Sequence, residues 1–194
     1  TKTGNHNLNV FGRHNAQNVE AARLICNEVG IRDKYFYSSI KSFGGAQRRL
    51  QKLYDDNNLH VYYDFAHAPS KVKASIDAVR EKHENARIIS CLELHTYSSL
   101  NKDFLPEYNG KTDSSDITLV YFNPEVVKHK KLPAIDKEYV SECFGNSPVV
   151  FNNSDELFSE LKNKFNSKET VLLIMTSGSF DGKDIKSEIR DIVF

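Results

Sequence analysis

Chemistry in this chain concentrates in a few short segments. Asp64-Phe65-Ala66-His67-Ala68-Pro69 ends a polar-apolar run with an acid and opens a helix at Pro69. A carboxylate there can accept from two hydroxyls, as a ribose presents them, and helix amide donors beside a histidine suit an anion. The same residues also read as a turn acid and a surface imidazole. Arg48 and Arg49 stand upstream. If a hairpin turn centres on Asp56-Asn57, facing residues have numbers that add to 113, and Arg49 lies opposite Asp64. A cross-strand Arg–Asp pair is ordinarily structural, worth ~0.2–1 kcal/mol. At the carboxyl edge of a sheet the two groups can also meet on one ligand. In Gly12-Arg13-His14-Asn15-Ala16-Gln17-Asn18, Asn15 and Asn18 share one face of a first helical turn. An amide places a donor beside an acceptor, the pattern of the N6/N7 edge of adenine, and Asn is equally a helix cap.

Two further loops are dense in polar groups. Glu93-Leu94-His95-Thr96-Tyr97-Ser98-Ser99 follows an apolar strand, a position where substrates are read. Ser177-Gly178-Ser179-Phe180-Asp181-Gly182 follows another, as a binding loop or a plain turn. Gly110-Lys111-Thr112 imitates the end of a phosphate-binding loop, but Leu105 stands where that motif needs its first glycine. Lys128–Lys131 reads as a solvated basic surface. Cys26, Cys91 and Cys143 are distant and odd in number, and no CxxC exists, which speaks against a zinc site or a disulfide framework. The seven histidines form no HExxH and no other close ligand pair, so no metal is expected on this chain alone.

The elements that must position these groups alternate. A strand over Leu8–Gly12 leads to a helix from Asn15 to Val29, with Val19, Ala22, Ile25 and Val29 as its apolar stripe and Gly30 as its stop. A shorter helix covers Asp33–Ser42. Strands Gln47–Tyr54 and Leu59–Phe65 flank the turn residues Asp55-Asp56-Asn57-Asn58. A helix runs from Pro69 to His83, strands follow at Arg87–Leu92 and Ile117–Phe122, and a helix at Lys137–Phe144. Val149–Phe151 is a short strand. Ser154 is placed to cap a helix that turns Leu157, Phe158, Leu161 and Phe165 inward. Val171–Met175 is a continuous apolar strand, as in a parallel sheet covered on both faces, and a last helix spans Asp184–Ile192. The order predicts an α/β fold: a doubly wound, mostly parallel, Rossmann-like sheet with an antiparallel hairpin at its start. Ligands of such sheets gather at the carboxyl ends of the strands.

The length agrees with one large domain, or with one domain and a piece of another. Of 194 residues, 39% are hydrophobic, enough for a packed core and against a disordered tail. Lys+Arg and Asp+Glu both number 26, so the basic excess of a phosphate-tracking nucleic-acid binder is lacking. No apolar run approaches the ~20 residues of a membrane span, and the first residues hold no apolar signal core. A cytoplasmic protein with reduced thiols is expected.

Taken together and in order, three of these segments resemble the Mur ligase family. Gly12–Asn18 with Ala21-Ala22 looks like the helix that ends the family's central ATPase domain. Phe43-Gly44-Gly45-Ala46-Gln47-Arg48-Arg49 looks like the Phe-x-Gly-x-x-Arg-Arg at its domain junction. Asp64–Pro69 is similar to its Asp-Tyr-Ala-His-x-Pro. The resemblance covers almost the whole chain. It implies that residues 1–44 are a helical remnant of the central ATP-binding domain and 45–194 the C-terminal domain. It implies nucleotide contacts from Asn15, Asn18, Arg49, Asp64 and His67. Substrate contacts fall to His95, Thr96, Tyr97, Ser98, Ser99, Ser177 and Gly178.

The phosphate-binding loop, magnesium-binding acids and modified lysine of the family are not found here. The chain then reads as the C-terminal part of a longer ATP- and Mg-dependent ligase, inactive by itself. Within the family the resemblance points to the murein peptide ligase branch, which joins L-Ala–γ-D-Glu–meso-diaminopimelate to UDP-N-acetylmuramate. Free L-alanine is the runner-up amine, and a non-catalytic α/β nucleotide-binding module is the rival from another class. Tyr63 and Ala68 depart from the closest branches, which bears on the acceptor more than on the nucleotide. The apolar stripe from Val19 to Val29 is expected to have been made for a central-domain sheet, and here to be exposed and able to drive dimer formation.

Overall fold

The computed structural model describes residues 5–56, 58–164 and 169–193. Two helices come first, α1 (Arg13–Glu28) and α2 (Asp33–Ile40). A hairpin of β1 (Gln51–Asp55) and β2 (Leu59–Asp64) follows, then α3 (Pro69–Lys82), β3 (Arg87–Leu94), a 3-10 turn at Leu105–Tyr108 and β4 (Ile117–Phe122). The chain closes with α4 (Pro124–His129), α5 (Lys137–Phe144), β5 (Val149–Phe151), α6 (Ser154–Asn163), β6 (Thr170–Met175) and α7 (Ile185–Val193). The strands form one sheet in the order β1-β2-β6-β3-β4-β5, parallel except for β1 against β2. The doubly wound sheet and its leading hairpin are as the alternation predicts.

Burial on both faces explains the apolar strands. Every residue of β6 is buried. Val171, Leu173 and Met175 belong to one core, with Val72, Ile76 and Val79 of α3 and Val140 and Phe144 of α5. Leu172 and Ile174 belong to the other, with Leu157, Phe158 and Leu161 of α6 and Ile185 and Ile189 of α7. The period of two along a strand divides one apolar run between two helical layers. At the amino ends of the strands Arg80 closes the sheet. Its guanidinium donates to Ala86 O at 2.7 Å and to Asp116 Oδ2 at 2.6 Å, and the same Asp116 oxygen accepts Ile88 N at 2.7 Å.

Several expectations need correction. Residues 8–12 form no strand, because no neighbour offers them a ladder. Asn153, not Ser154, caps α6: its Oδ1 accepts Glu156 N at 3.1 Å, while Ser154 is buried as the first helical residue. Phe165 lies outside the described residues. The hairpin register also differs. Partners add to 115 beside the turn (Asp55 with His60), and to 114 at Gln51 with Tyr63, because the register shifts between Lys52 and Tyr54. Beyond Gln51 the ladder ends, so Arg49 does not pair with Asp64 across strands. Arg48 and Leu50 take positive φ there, 55° and 45°, and only Arg48 O meets Phe65 N, at 2.8 Å. Missing from the sequence reading are α4 and the 3-10 turn, both opened by Pro at the first turn.

No described helix is long and apolar enough to cross a membrane. The three cysteines are free, with Cys91 and Cys143 buried. In contrast to the sheet, α1 has no buried residue, and Ile25 and Val29 are 66% and 72% exposed.

Two outcomes follow for stability. Leu173→Ala removes a side chain from the central strand and should cost about 2–5 kcal/mol, read as a lower urea midpoint. Burial raises the Asp116 pKa, but the bonds from Ile88 N–H and Arg80 outweigh it and hold the group below the usual carboxylate value. Its stabilisation is therefore present above the unfolded-chain pKa and lost as pH falls through the lower folded value. Asp116→Asn should flatten that acid limb of the stability–pH curve, measured by thermal melts.

Candidate nucleotide cleft

Asp64, at the carboxyl end of β2, is buried and bonded twice. Its Oδ2 accepts Leu50 N at 2.6 Å and its Oδ1 accepts Ala66 N at 2.7 Å. One carboxylate thus holds both the chain entering the hairpin and the chain entering α3. Each oxygen keeps a lone pair for a further donor. Of the two neighbouring arginines, Arg48 is committed to the fold. Its Nη2 donates to Thr176 O at 2.9 Å and to Gly178 O at 3.1 Å, and its guanidinium lies over Tyr63 and Phe65. Arg49 also lies over Phe65, its guanidinium carbon 5.7 Å from the ring centre, and it lines a cleft of about 650 Å³.

That cleft lies between α1, the Gly45–Arg49 turn and the start of α3. Asn15, Asn18, Arg49 and Asp64 all line it. The structure thus gathers four predicted residues from three separate segments. Asn15 spends one amide hydrogen on Phe11 O at 2.8 Å and keeps the rest of its amide free for the cleft. Gly12 lets α1 come this close. It has φ 87°, and a Cβ there would stand 2.7 Å from Ala78 Cβ of α3.

His67 is not in the lining. Its Nδ1 is 2.8 Å from Phe65 O, and a carbonyl only accepts, so Nδ1 carries the hydrogen and Nε2 faces outward. Tyr108 Oη donates to His67 O, which fixes the backbone of the turn.

The residues expected to read the second substrate fall into two roles. Ser99 is fully buried and staples its own loop: Thr96 N donates to Ser99 Oγ at 2.9 Å, and Thr96 Oγ1 lies 2.9 Å from the same oxygen. Ser98 Oγ joins that network at 3.2 Å from Thr96 Oγ1. The buried Ser99 hydroxyl shapes the loop, while Ser98 is exposed and Thr96 half-buried. Tyr97 is exposed, with Lys130 Nζ 4.5 Å from its ring centre, so the basic run gives one cation to this loop.

His95 lies with Gly178 and Glu93. Its Nδ1 is 3.7 Å from Glu93 Oε1, and a Cβ on Gly178 would come within 2.7 Å of both Glu93 Oε2 and His95 Cγ. Buried Glu93 also accepts from Thr176 Oγ1 and, at 3.0 Å, from Phe180 N. Ser177 Oγ is buried with no hydrogen-bond partner. An unpaired hydroxyl at a strand's carboxyl end has capacity for a ligand.

No family model matches the chain. Individual proteins do. A UDP-N-acetylmuramate–L-alanine ligase from Sulfurihydrogenibium sp. (strain YO3AOP1) is 34% identical over 181 residues, which is 91% of this chain and 38% of the relative. Further relatives at 27–32% identity carry the same name. The solved UDP-N-acetylmuramate-alanine ligase of Thermotoga maritima matches with a TM-score of 0.68 at 19% identity, over 96% of this chain and 38% of that one. A murein peptide ligase from Psychrobacter arcticus matches with a TM-score of 0.61 at 20% identity, over 97% and 38%.

The chain is a homologue of the Mur ligase C-terminal domain. It spans 38% of the length of the relatives it matches first. Two cleft residues of this Mur-type chain escaped the sequence reading: Lys71, in the first turn of α3, and His14. Lys71 had a signal, since a cation one turn into a helix that follows a ligand-binding acid faces the same edge. His14 had none beyond its place beside Asn15.

Gly12→Ala tests how the cleft is built. The added methyl must displace α3 or α1 at a backbone angle that only glycine takes freely. A loss of about 1–3 kcal/mol is expected in chemical denaturation.

Proposed function

We propose that this chain is the nucleotide-closing and amine-binding part of a longer ATP-dependent ligase that acts on UDP-N-acetylmuramate. The observation that carries the reading is the convergence of Asn15, Asn18, Arg49 and Asp64 on one cleft. The two amides suit an adenine edge, and the Arg49–Asp64 pair suits a ribose. Lys71 supplies a cation for phosphate. Asp64 is the one carboxylate among the described lining residues, and both its oxygens already accept backbone N–H bonds. Magnesium is therefore assigned to the rest of the protein, and nothing in the cleft is asked to hold it.

In this reading the γ-phosphoryl group of ATP passes to the substrate carboxylate, giving an acyl phosphate and ADP. The amine nitrogen then attacks the acyl carbon, phosphate leaves, and the nitrogen loses a proton to form the amide. The residues of this chain bind, orient and close over the site, which keeps water from the acyl phosphate. Residues 1–44 belong to the end of the preceding domain. The exposed stripe on α1 is assigned to that domain rather than to a second copy of the chain. The UDP-linked substrate places the protein in the cytoplasm.

L-Alanine is the amine we favour, because the relatives named above are L-alanine ligases. The L-Ala–γ-D-Glu–meso-diaminopimelate tripeptide is second, favoured by the shared fold with the murein peptide ligase. The test is an ATP-dependent ligation assay on the full-length protein with UDP-N-acetylmuramate and L-alanine, the tripeptide, or neither. Product with alanine alone is expected. Product with the tripeptide alone would reassign the amine, and none with either would remove the ligase reading. Arg49→Ala should raise the KM for ATP by about tenfold or more, the size of one lost hydrogen bond from a charged group, and Asn18→Ala by about threefold to tenfold, the size of a neutral one. The 194-residue chain by itself should form no amide.

A further inference from the structure

At the opposite edge of the sheet three side chains converge from three elements. His60 opens β2, His83 follows the last turn of α3, and Glu169 precedes β6. His60 Nε2 is 3.3 Å and His83 Nδ1 is 3.5 Å from the same oxygen, Glu169 Oε1. The three ligand atoms all lie within 4.8 Å of one another. Both rings are largely buried, while the glutamate is half exposed.

The hydrogen bonds leave one gap in this arrangement, at His60 Nε2, that calls for a proton or a metal ion. His60 Nδ1 is bonded to Asp55 Oδ1. A carboxylate only accepts, so Nδ1 carries the hydrogen and the Nε2 of a neutral ring is bare. That bare nitrogen then faces a carboxylate oxygen, acceptor against acceptor. His83 uses its Nε2 on Tyr62 Oη at 3.0 Å and turns Nδ1 to the same oxygen. Nearby cations are engaged elsewhere. Lys52 Nζ holds the other oxygen of Asp55 at 2.6 Å, Lys82 lies over the Tyr62 ring, and Arg87 donates to Lys164 O.

A proton on His60 Nε2 closes this gap, with His83 Nδ1–H donating to Glu169 while Tyr62 Oη donates to His83 Nε2; a metal ion closes it instead with three ligand atoms at once, Tyr62 Oη then accepting from His83 Nε2–H. With metal–ligand distances of about 2.0–2.1 Å, ligand atoms at tetrahedral corners stand about 3.3–3.4 Å apart. The two contacts to Glu169 have that length. Each histidine also has an outer partner on its second nitrogen, Asp55 or Tyr62, as metal-bound imidazoles usually do.

We propose that His60 Nε2, His83 Nδ1 and Glu169 Oε1 form a site for a zinc-class divalent ion, with a fourth position open to water. The ion ties the start of β2, the end of α3 and the start of β6 together. It lies at the other end of β2 from Asp64, about 13 Å away at about 3.3 Å per residue. It is therefore separate from the nucleotide cleft.

The probe is the metal alone, Zn²⁺ or Co²⁺, titrated into the chain. The proposal expects one ion per chain, visible d–d bands with Co²⁺, and a rise in melting temperature of about 5 °C or more at a hundredfold excess over Kd. His83→Ala and Glu169→Gln should weaken binding at least about tenfold, and Asp55→Asn by about tenfold through its hold on His60. Unsaturable binding, or binding equal in all variants, overturns it. Histidine ¹⁵N spectra of the unmutated chain decide independently of how the variants fold. Zn²⁺ should shift two of the seven imidazoles, and shifts spread over other histidines, or none, refute the site. If only a bridging proton is present, the same spectra show no response to metal, which overturns the site.

Discussion

The carboxylate of Asp64 is the constraint on which the cleft depends. It sits buried at the end of β2 and accepts Leu50 N and Ala66 N, so two chain segments leave it in fixed directions. Hydrogen bonds to a charged acceptor are worth about 1.5–3 kcal/mol each, more than enough to hold two strained turns. Leu50, at φ 45°, is held in its left-handed conformation partly by this bond. Arg48, at φ 55°, is held by Gln51 Oε1, Thr176 O and Gly178 O. Between them stands Arg49, which lines the cleft and lies over the Phe65 ring.

This accounts for what was legible in the sequence and what was not. The alternation of β6 between two cores requires only a period of two and two amphipathic helices on each side, and Val171–Met175 shows both. The gathering of Asn15, Asn18, Arg49 and Asp64 was legible as residue types, because each segment has its own chemical signature. The route by which Arg49 arrives was not. Only a ladder whose partners add to 113 would carry it opposite Asp64, whereas the observed partners add to 115 and 114 and the ladder ends at Gln51. The register shift near Leu53 and the two positive-φ residues depend on side-chain bonds from Asp64 and Gln51, which no pattern of hydropathy encodes. Ser99 shows the converse failure: a serine in a polar loop reads as a contact group, yet its hydroxyl is buried in a staple to Thr96. The His60–His83–Glu169 cluster was invisible for a third reason. Its members are far apart in sequence and meet only because β2 pairs with β6.

The two ends of the sheet are built on different principles. At the amino ends, charge is neutralised locally. Arg80 spans Ala86 and Asp116, and Asp55 is shared between Lys52 and His60. At the carboxyl ends, polar groups are held in place but left with spare capacity. Asp64 keeps lone pairs, Ser177 Oγ has no partner, and His67 presents Nε2. A parallel sheet produces this asymmetry because its helices begin near the carboxyl ends, where backbone N–H groups are in surplus.

The walls of the cleft differ as much as the ends of the sheet. One wall is the β2–α3 junction, backed by a fully buried core. The other is α1, which has no buried residue and rests on α3 through Gly12 and Ala78. Local opening is governed by how much apolar surface an element buries. The sheet must therefore act as the rigid reference and α1 as the part whose position varies. A ligand that bonds Asn15 and Asn18 on one side and Arg49 and Asp64 on the other bridges the two walls. Its binding energy then includes the work of setting α1 against the sheet.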